Sequence, residues 1–237
     1  MDKVKILLNI INDSENIVFF GGAGVSTDSG IRDFKGKNGL YKQKYEYKPE
    51  YYLSIACFYR DTDKFFDFYK NKMNCLDIEP NITHKYLKKL EDTGKLKGII
   101  TQNIDGLHQK AGSKNVYELH GTIYENHCVN CNKFFDANFI FNSKNIPKCE
   151  CGGLIKPNVV LYGEMLPECY DKAQYLIYKA ETLIVAGTSL TVEPASGLLK
   201  VFNGKNLIII NDTPTPYDNL ATLVINENLK KIFEKLE

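Results

Sequence analysis

The chain of 237 residues contains no tryptophan, only three methionines and four histidines, and its apolar runs are short. No run reaches the ~18 apolar residues that a membrane-spanning helix requires, so we expect no transmembrane segment. Lysine plus arginine (30) nearly equals aspartate plus glutamate (29), which leaves no strong field for attracting nucleic acid. The apolar residues near the N-terminus follow amphipathic helical spacing rather than the block of a signal peptide. We therefore expect a cytoplasmic protein with neither a nucleic-acid nor a membrane partner. A monomer is expected, although the sequence does not give the oligomeric state.

Short apolar runs rich in β-branched residues alternate with segments of helical pattern. The predicted strands cover residues 16–20, 97–101, 116–119, 182–186, 207–210 and 222–225. The predicted helices cover residues 84–91, 169–181, 195–201 and 229–236. Nearly continuous apolarity is typical of strands buried on both faces. The pattern predicts an α/β fold, a Rossmann-like parallel sheet with helices on both faces.

Two segments interrupt this alternation. Residues 36–80 are rich in tyrosine, phenylalanine and lysine and predict a helical insertion, and residues 122–162 carry four paired cysteines. We expect the two insertions to form a small domain, with residues 1–35, 81–121 and 163–237 forming the large domain. The tyrosines of residues 41–52 are expected to pack over the large domain.

A glycine turn follows the first predicted strand, with the sequence Gly22-Ala23-Gly24-Val25-Ser26. Such a turn indicates a nucleotide site, because glycines allow backbone N–H groups to approach a phosphate closely and a following helix directs its positive end at the anion. The third glycine position of a dinucleotide fingerprint holds Thr27, and no acidic residue ends a second strand about twenty residues later. The turn therefore indicates a nucleotide but not an ordinary dehydrogenase.

Four cysteines are spaced as zinc ligands: Cys128-x-x-Cys131, then seventeen residues, then Cys149-x-Cys151. Four thiolates complete a tetrahedral zinc site and leave no position for water, so the predicted Zn²⁺ is structural. A zinc ribbon can also bind nucleic acid or a partner, although few basic residues surround this one. The three remaining cysteines are predicted to pack in the interior: Cys57, Cys75 and Cys169.

Small polar and titratable residues cluster after two of the predicted strands. Asn103 and Asp105 follow one strand and His120 follows the next. Histidine suits general-base catalysis near neutral pH. Spacing alone is equally compatible with a structural role for His120, and His84 and His108 are interpreted as structural.

Five motifs lie along the chain together with the cysteine quartet: GAGVSTDSGIRDF (22–34), TQNIDGLH (101–108), ELHG (118–121), KPNVVLYGE (156–164) and GTSL (187–190). Together they resemble one family, the sirtuins, which are NAD-dependent protein lysine deacylases. The motifs span nearly the whole chain in the family's order. The resemblance is greatest to small bacterial members with little beyond the catalytic core.

The resemblance implies that NAD is consumed as a co-substrate and that His120 and Asn103 are catalytic. His120 would deprotonate a ribose hydroxyl, Phe34 would shield the ribose, and Asp105 would hold the nicotinamide carboxamide. Residues implied in NAD binding are Gly22, Ala23, Gly24, Ser26, Thr27, Asp33, Phe34, Lys35, Gln102, Asn103, Ile104, Asp105, His120, Gly187, Thr188, Ser189, Asn211 and Leu229.

The implied partners are acylated lysine side chains of proteins, and the implied products are lysine, nicotinamide and O-acyl-ADP-ribose. The substrate peptide would add as a strand between two segments and gain affinity from main-chain hydrogen bonds. Residues implied in peptide binding are Val160, Leu161, Tyr162, Gly163, Glu164, Thr191 and Val192.

Four positions depart from the family patterns. Arg32 stands where proline is usual, and Lys35 where arginine is usual. Phe66 and Tyr69 occupy the positions of a Tyr-x-x-Arg pair that binds acidic acyl groups, so we expect acetyl and apolar acyl groups to be preferred. Two other functions stay open at this point: an NAD hydrolase or mono-ADP-ribosyltransferase on the same fold, and a non-catalytic zinc-ribbon binding module.

Overall fold

A computed structural model describes residues 2–34, 36 and 39–237 of the chain. The strands are β1 (Ile17–Gly21), β2 (Leu96–Thr101), β3 (Val116–Glu118), β4 (Gly121–Cys128), β5 (Phe134–Asp136), β6 (Ile155–Val159), β7 (Thr182–Ala186), β8 (Asn206–Ile210) and β9 (Leu223–Ile225). The α-helices are α1 (Lys3–Asp13), α2 (Pro49–Tyr52), α3 (Ile55–Arg60), α4 (Thr62–Met73), α5 (Ile82–Asp92), α6 (Leu107–Lys110), α7 (Ala137–Asn142), α8 (Cys169–Lys179) and α9 (Leu229–Leu236).

Six strands form one sheet in the order β3-β2-β1-β7-β8-β9, and every neighbouring pair is parallel. The first strand is the switch point of this order, because β2 lies on one side of it and β7 on the other. The loops that follow these three strands therefore meet at one edge of the sheet, where open α/β sheets bind ligands. The predicted parallel α/β fold is confirmed.

The alternation of side chains along β1 divides the core of this sheet in two. Ile17 and Phe19 pack with helices α1, α5 and α9. Val18 and Phe20 pack on the opposite face with α8 and the 3-10 segment Ala195–Val201. Burial on both faces explains why β1 and β7 are apolar throughout.

A second, antiparallel sheet has the order β5-β4-β6. Its side chains share a core with residues from α3 and α4, so the two insertions pack against each other. The tyrosines of residues 41–52 belong to this core. Tyr52 stacks on Phe68 of α4 with the ring centroids 4.8 Å apart, and Tyr45 meets the same ring edge-on. The expectation that these tyrosines cover the large domain was wrong, because a nearer aromatic surface lies on α4.

The predicted elements agree with the structure to within two residues at their ends, with one difference of type. Residues 195–201 form a 3-10 helix, and Gly197 in its middle weakens the preference for an α-helix. None of the helices in the described part of the chain combines the length and apolarity needed to span a bilayer.

Candidate functional site

A cleft of about 1950 Å³ lies at the carboxyl edge of the parallel sheet and extends toward the small sheet. Its lining includes nearly all residues proposed for NAD and peptide. Gly22 and Thr191 are the exceptions among the described residues, and Lys35 lies outside them. The folded chain thus brings together polar residues that are far apart in sequence, such as Ser26 and Asn211, which are 185 positions apart.

The glycine turn after β1 is closed by the turn after β7. Gly22 and Gly24 donate their N–H groups to the carbonyl oxygens of Ala186 (3.2 Å) and Gly187 (2.8 Å). A Cβ at Gly22 would lie 2.7 Å from Cβ of Thr188, and one at Gly24 would lie 2.7 Å from Cα of Gly187. A side chain at either position would collide with the turn after β7, so both positions require glycine.

The expected helix after this turn was wrong. Two 3-10 turns, Ala23–Val25 and Thr27–Ser29, follow β1 instead of an α-helix. The hydroxyl of Thr27 donates to the carbonyl of Gly24 (2.9 Å), which tightens the segment into successive short turns. Any anion bound here would meet a compact turn rather than the end of a long helix dipole.

Ser26, Asn103 and Asp105 form a buried network below the cleft. The Ser26 hydroxyl donates to Oδ2 of Asp105 (2.6 Å) and accepts from Nδ2 of Asn103 (3.0 Å). The Leu107 N–H donates to the other carboxylate oxygen of Asp105 (3.0 Å). Burial raises the pKa of Asp105, and these hydrogen bonds oppose that rise. The network joins the β1 turn to the loop after β2.

The imidazole of His120 is hydrogen-bonded to the same loop. Its Nδ1 lies 2.8 Å from the carbonyl oxygen of Gln102. Burial lowers the pKa of His120, although the bond to Gln102 partly opposes this. A half-buried, neutral imidazole with one fixed nitrogen at a cleft wall is suited to accept a proton.

Gln102 also organises the opposite wall of the cleft. Its side-chain oxygen accepts from the hydroxyl of Thr188 (3.0 Å), which accepts in turn from the Leu190 N–H (3.2 Å).

The far end of the cleft contains two further residues proposed for NAD, Asn211 and Leu229. The Asn211 amide donates to the Thr213 carbonyl (2.8 Å). Leu229 both lines the cleft and belongs to the core beside α1, which gives it a structural role whatever its contacts with a ligand.

The segment of residues 160–164 is hydrogen-bonded through its backbone to residues 53–55. The Tyr162 N–H donates to the Leu53 carbonyl (2.9 Å), and the Ile55 N–H donates to the Tyr162 carbonyl (3.1 Å). The Glu164 carboxylate accepts from the Leu161 N–H (2.8 Å) and from Lys156 (3.0 Å).

A side-chain contact adds a second anchor to this segment. The Tyr162 hydroxyl lies 2.8 Å from that of Tyr41, on the loop that carries Phe34. Residues 160–164 are therefore tied to the loop that follows the glycine turn.

The four paired cysteines converge on one point in the small lobe. All four sulfurs lie within 4.8 Å of one another, and three of their separations are 3.4, 3.5 and 3.6 Å. A tetrahedral zinc with bonds of ~2.3 Å would separate its sulfur ligands by about 3.8 Å. The four residues Cys128, Cys131, Cys149 and Cys151 therefore form a site suited to structural zinc, as predicted. None of them lines the cleft among its described residues.

The other cysteines and two histidines have the predicted structural surroundings. Burial raises the pKa of Cys75 to about 12 and also raises the pKa values of Cys57 and Cys169, which disfavours the reactive thiolate form of all three. His84 and His108 are buried in contact, with ring centroids 4.7 Å apart.

Sequence reasoning missed two residues that support the site. The Asn81 side chain caps α5 and donates to the Val25 carbonyl (2.8 Å), which fixes the glycine turn. Burial, with smaller effects of Asp105 and Glu125, raises the pKa of Glu118 to about 7. The capping pattern at Asn81 was readable, but its contact with Val25 depends on tertiary structure.

Comparison with known proteins gives a consistent result. Residues 22–194 match the model of the Sir2 family. An NAD-dependent protein deacetylase of Clostridium acetobutylicum is 52% identical over 239 residues, covering 99% of this chain and 98% of that protein. An NAD-dependent protein deacetylase of Clostridium tetani is 53% identical over 237 residues, covering 98% and 96%.

Solved structures agree with the sequence relatives. A Sir2 enzyme with a deacetylated p53 peptide and 3'-O-acetyl ADP ribose has a TM-score of 0.91 and 40% identity, with 98% of this chain and 96% of that chain covered. A Sir2 complex with a p53 peptide and NAD⁺ has a TM-score of 0.88 and 38% identity at the same coverage.

Proposed function

Because the chain belongs to the Sir2 family, we propose that it is an NAD-dependent protein lysine deacetylase that acts on acetyl and other apolar acyl groups. The observation that carries this proposal is the fixed imidazole of His120 at the wall of a cleft formed by three strand-end loops. The reaction consumes NAD, the acyl-lysine and one water molecule, and it releases nicotinamide, O-acyl-ADP-ribose and the free lysine.

In this proposal, NAD lies along the carboxyl edge of the sheet. Its phosphates lie near Ala23 and Ser189, and its adenosine lies near Asn211 and Leu229. The support is that these residues line one continuous cleft. NAD supplies the ribose carbon to which the acyl oxygen becomes bonded as nicotinamide leaves. Phe34 borders the same cleft and would exclude water from that carbon.

The residues of the chain position and deprotonate the reactants. His120 takes the proton of a ribose hydroxyl at Nε2, and that hydroxyl then attacks the former amide carbon. Asn103 and Asp105 keep their orientation because Ser26 bonds both. Holding the weakly nucleophilic acyl oxygen close to the ribose is proximity catalysis.

The peptide is proposed to bind between residues 160–164 and residues Thr191 and Val192. The anchored backbone of Tyr162 makes the first segment a fixed edge for an added strand. The N–H of Leu161 is held by the Glu164 carboxylate, so a peptide carbonyl that pairs there must displace this side chain.

We also propose that the protein works in the cytoplasm. The zinc-bound lobe would have a structural role beside the nucleotide lobe. Cys57, Cys75 and Cys169 are free thiols in the described structure, which fits a reducing compartment. The proposed domain boundaries are those of the sequence interpretation, and the shared core of the two insertions supports them.

The deciding experiment incubates the purified protein with NAD and an acetyl-lysine peptide and follows nicotinamide and free lysine by mass. We expect nicotinamide release to require the acetylated peptide. Release without any peptide would indicate an NAD hydrolase instead. His120→Ala should reduce turnover by about 10²–10⁴-fold while NAD still binds. His127→Ala, outside the cleft, is the matched histidine control, and equal activity of the two variants would contradict the assignment.

A further inference from the structure

Lys156 lies in β6, and its ammonium group has three acceptors. It donates to the Glu164 carboxylate (3.0 Å) and to the carbonyl oxygens of Pro157 (3.2 Å) and Val159 (3.2 Å). A lysine ammonium has three N–H groups, so these acceptors use its full capacity. Lys156 is not among the described residues that line the cleft. Any effect of this side chain on a substrate therefore passes through the groups that it holds.

Glu164 closes the turn at the end of the peptide edge, the segment of residues 160–164 proposed to receive the peptide. The Leu161 N–H donates to Oε2 of Glu164 (2.8 Å), and the Glu164 N–H donates back to the Leu161 carbonyl (2.9 Å). Gly163 gives the turn its sharp bend with a φ of +96°. The same carboxylate oxygen, Oε2, also accepts from Lys156. The shape of the turn therefore depends on the orientation of Glu164, which Lys156 helps to fix.

The peptide edge is also bonded to the backbone of the proposed base. The Val160 N–H donates to the carbonyl oxygen of His120 (2.9 Å). Lys156 bonds Val159 on one side of this attachment in sequence and Glu164 on the other. Its ammonium thus links the end of β6 to the turn, across the residue that is joined to His120. This arrangement sets the position of the peptide edge relative to the imidazole.

The ion pair between Lys156 and Glu164 is partly shielded from water. Their side chains are 21% and 25% exposed. In a second ion pair of the small lobe, between Lys133 and Glu150, the exposed fractions are 50% and 89%. Exposed pairs are screened and contribute little, but a partly buried carboxylate that loses its counter-charge is destabilised. Without Lys156, the Glu164 carboxylate would gain solvation by turning toward water, and the turn would lose the contact that closes it.

We propose that Lys156 is a positioning residue for the peptide substrate. By holding the Glu164 carboxylate, it keeps the peptide edge in the conformation that binds the peptide and at a fixed distance from His120. The inference rests on the proposed deacylase function and assigns a further residue to its peptide site. NAD is proposed to bind along other residues of the cleft, so its affinity is independent of Lys156. Loss of Lys156 therefore weakens peptide binding before it affects the chemical step.

The experiment measures kcat and the peptide KM of Lys156→Met with an acetyl-lysine peptide at saturating NAD, together with the dissociation constant for NAD alone. We expect the peptide KM to rise about 5- to 20-fold, because charge-assisted hydrogen bonds are lost. We expect kcat and the NAD dissociation constant to change less than about twofold, as for a loss of ground-state binding. Lys156→Arg keeps the charge and the N–H donors and should restore KM to within about threefold of the wild type.

Lys133→Met is the matched control, because it breaks the exposed ion pair of the same lobe and Lys133 is not among the described residues that line the cleft. Its peptide KM should stay within about twofold of the wild type. An unchanged KM in Lys156→Met, or an equal rise in both variants, would overturn the inference. A fall in kcat at an unchanged KM would overturn it as well. A raised KM that Lys156→Arg fails to lower would do the same, since the charge would not be the cause.

A double-variant cycle tests whether Lys156 acts through Glu164. Glu164→Gln keeps an oxygen for the Leu161 N–H but removes the charge that Lys156 binds, so it should raise the peptide KM about 3- to 10-fold. The double variant should have a KM within about twofold of that of Lys156→Met, because the second change removes nothing further. Rises that multiply in the double variant would contradict the inference.

Glu164→Gln also decides alone if Lys156→Met does not fold, since an unchanged peptide KM in it overturns the inference. With intact wild-type deacetylation, these outcomes refute this inference only. A wild-type protein without NAD-dependent turnover of any acyl peptide refutes the proposed function too.

Discussion

The 2.8 Å contact between Nδ1 of His120 and the carbonyl oxygen of Gln102 determines which nitrogen of the imidazole can accept a proton. A carbonyl only accepts hydrogen bonds, so Nδ1 carries the hydrogen and the lone pair of the neutral ring lies at Nε2. The same backbone segment continues into Asn103 and Asp105. The base and the residues proposed around the nicotinamide ribose are thus positioned by one loop.

The first prediction concerns the pH dependence of deacetylation. Burial lowers the pKa of His120, so the ring is neutral and active above that lowered value and loses its lone pair below it. We expect kcat/KM to rise with pH along an acid limb whose midpoint lies below the ordinary histidine value of ~6.5, and then to level. A pH profile with an acetyl-lysine peptide checks this. A midpoint at or above 7 would contradict it.

The second prediction concerns Ser26, whose hydroxyl bonds both Asp105 and Asn103. Ser26→Ala leaves a buried carboxylate oxygen without its donor, which should destabilise the fold by about 1–3 kcal/mol and weaken NAD binding. Thermal unfolding and NAD titration measure both effects. Ser29→Ala is the control on the same segment, because the Ser29 hydroxyl is buried and has no partner among the described residues, so its removal should not destabilise the fold. Equal effects of the two variants would count against the network.

The third prediction concerns the zinc site. Cys131→Ser should lower the zinc content and increase backbone hydrogen exchange in β4, β5 and β6, while the parallel sheet keeps its protection. Cys169→Ser is the control, since this half-buried thiol lies on α8 and outside the cluster. Hydrogen exchange with a metal assay tests the prediction. Loss of zinc with unchanged exchange in the three strands would refute a structural role.

The fourth prediction concerns Glu118, whose pKa burial raises to about 7 from 4.5. The folded chain holds this proton more tightly than the unfolded chain, so the stabilisation is present at low pH and is lost as the pH rises from 4.5 toward 7. Glu118→Gln should therefore match the wild type near pH 4.5 and exceed its stability by about 1–3 kcal/mol at pH 8. Denaturant unfolding at both pH values measures this, with Glu234→Gln as an exposed control at a residue that does not act on Glu118. A difference that does not grow with pH would refute the assignment.

The sheet was predictable because its strands are buried on both faces and carry an unmistakable apolar pattern. The continuous apolar pattern of an interior strand is clearest in residues Ile17 to Phe20 and Leu183 to Ala186. The polar residues Asn103, Asp105 and His120 follow such strands, and parallel strands place their carboxyl ends together. The cysteine spacing carried equally specific information, since few arrangements other than a metal site need it.

Contacts between distant segments were not predictable. Gly24 is required by Gly187, which lies 163 positions later, and nothing near Gly24 in sequence indicates this. The tyrosines at positions 45 and 52 pack on Phe68 because α4 presents an aromatic surface, which only the folded arrangement defines. The local sequence pattern determines where the helices and strands form. Tertiary packing determines which side chains each turn has room for.

The hydroxyl bond between Tyr41 and Tyr162 has a thermodynamic consequence for the two substrates. It couples the loop proposed to cover the dinucleotide to the strand edge proposed to receive the peptide. A ligand that shifts either tyrosine changes the free energy of the other segment, and linkage requires the effect to be reciprocal. NAD should therefore alter peptide affinity by the same factor by which the peptide alters NAD affinity, and loss of this single bond in Tyr41→Phe should bring that factor closer to one.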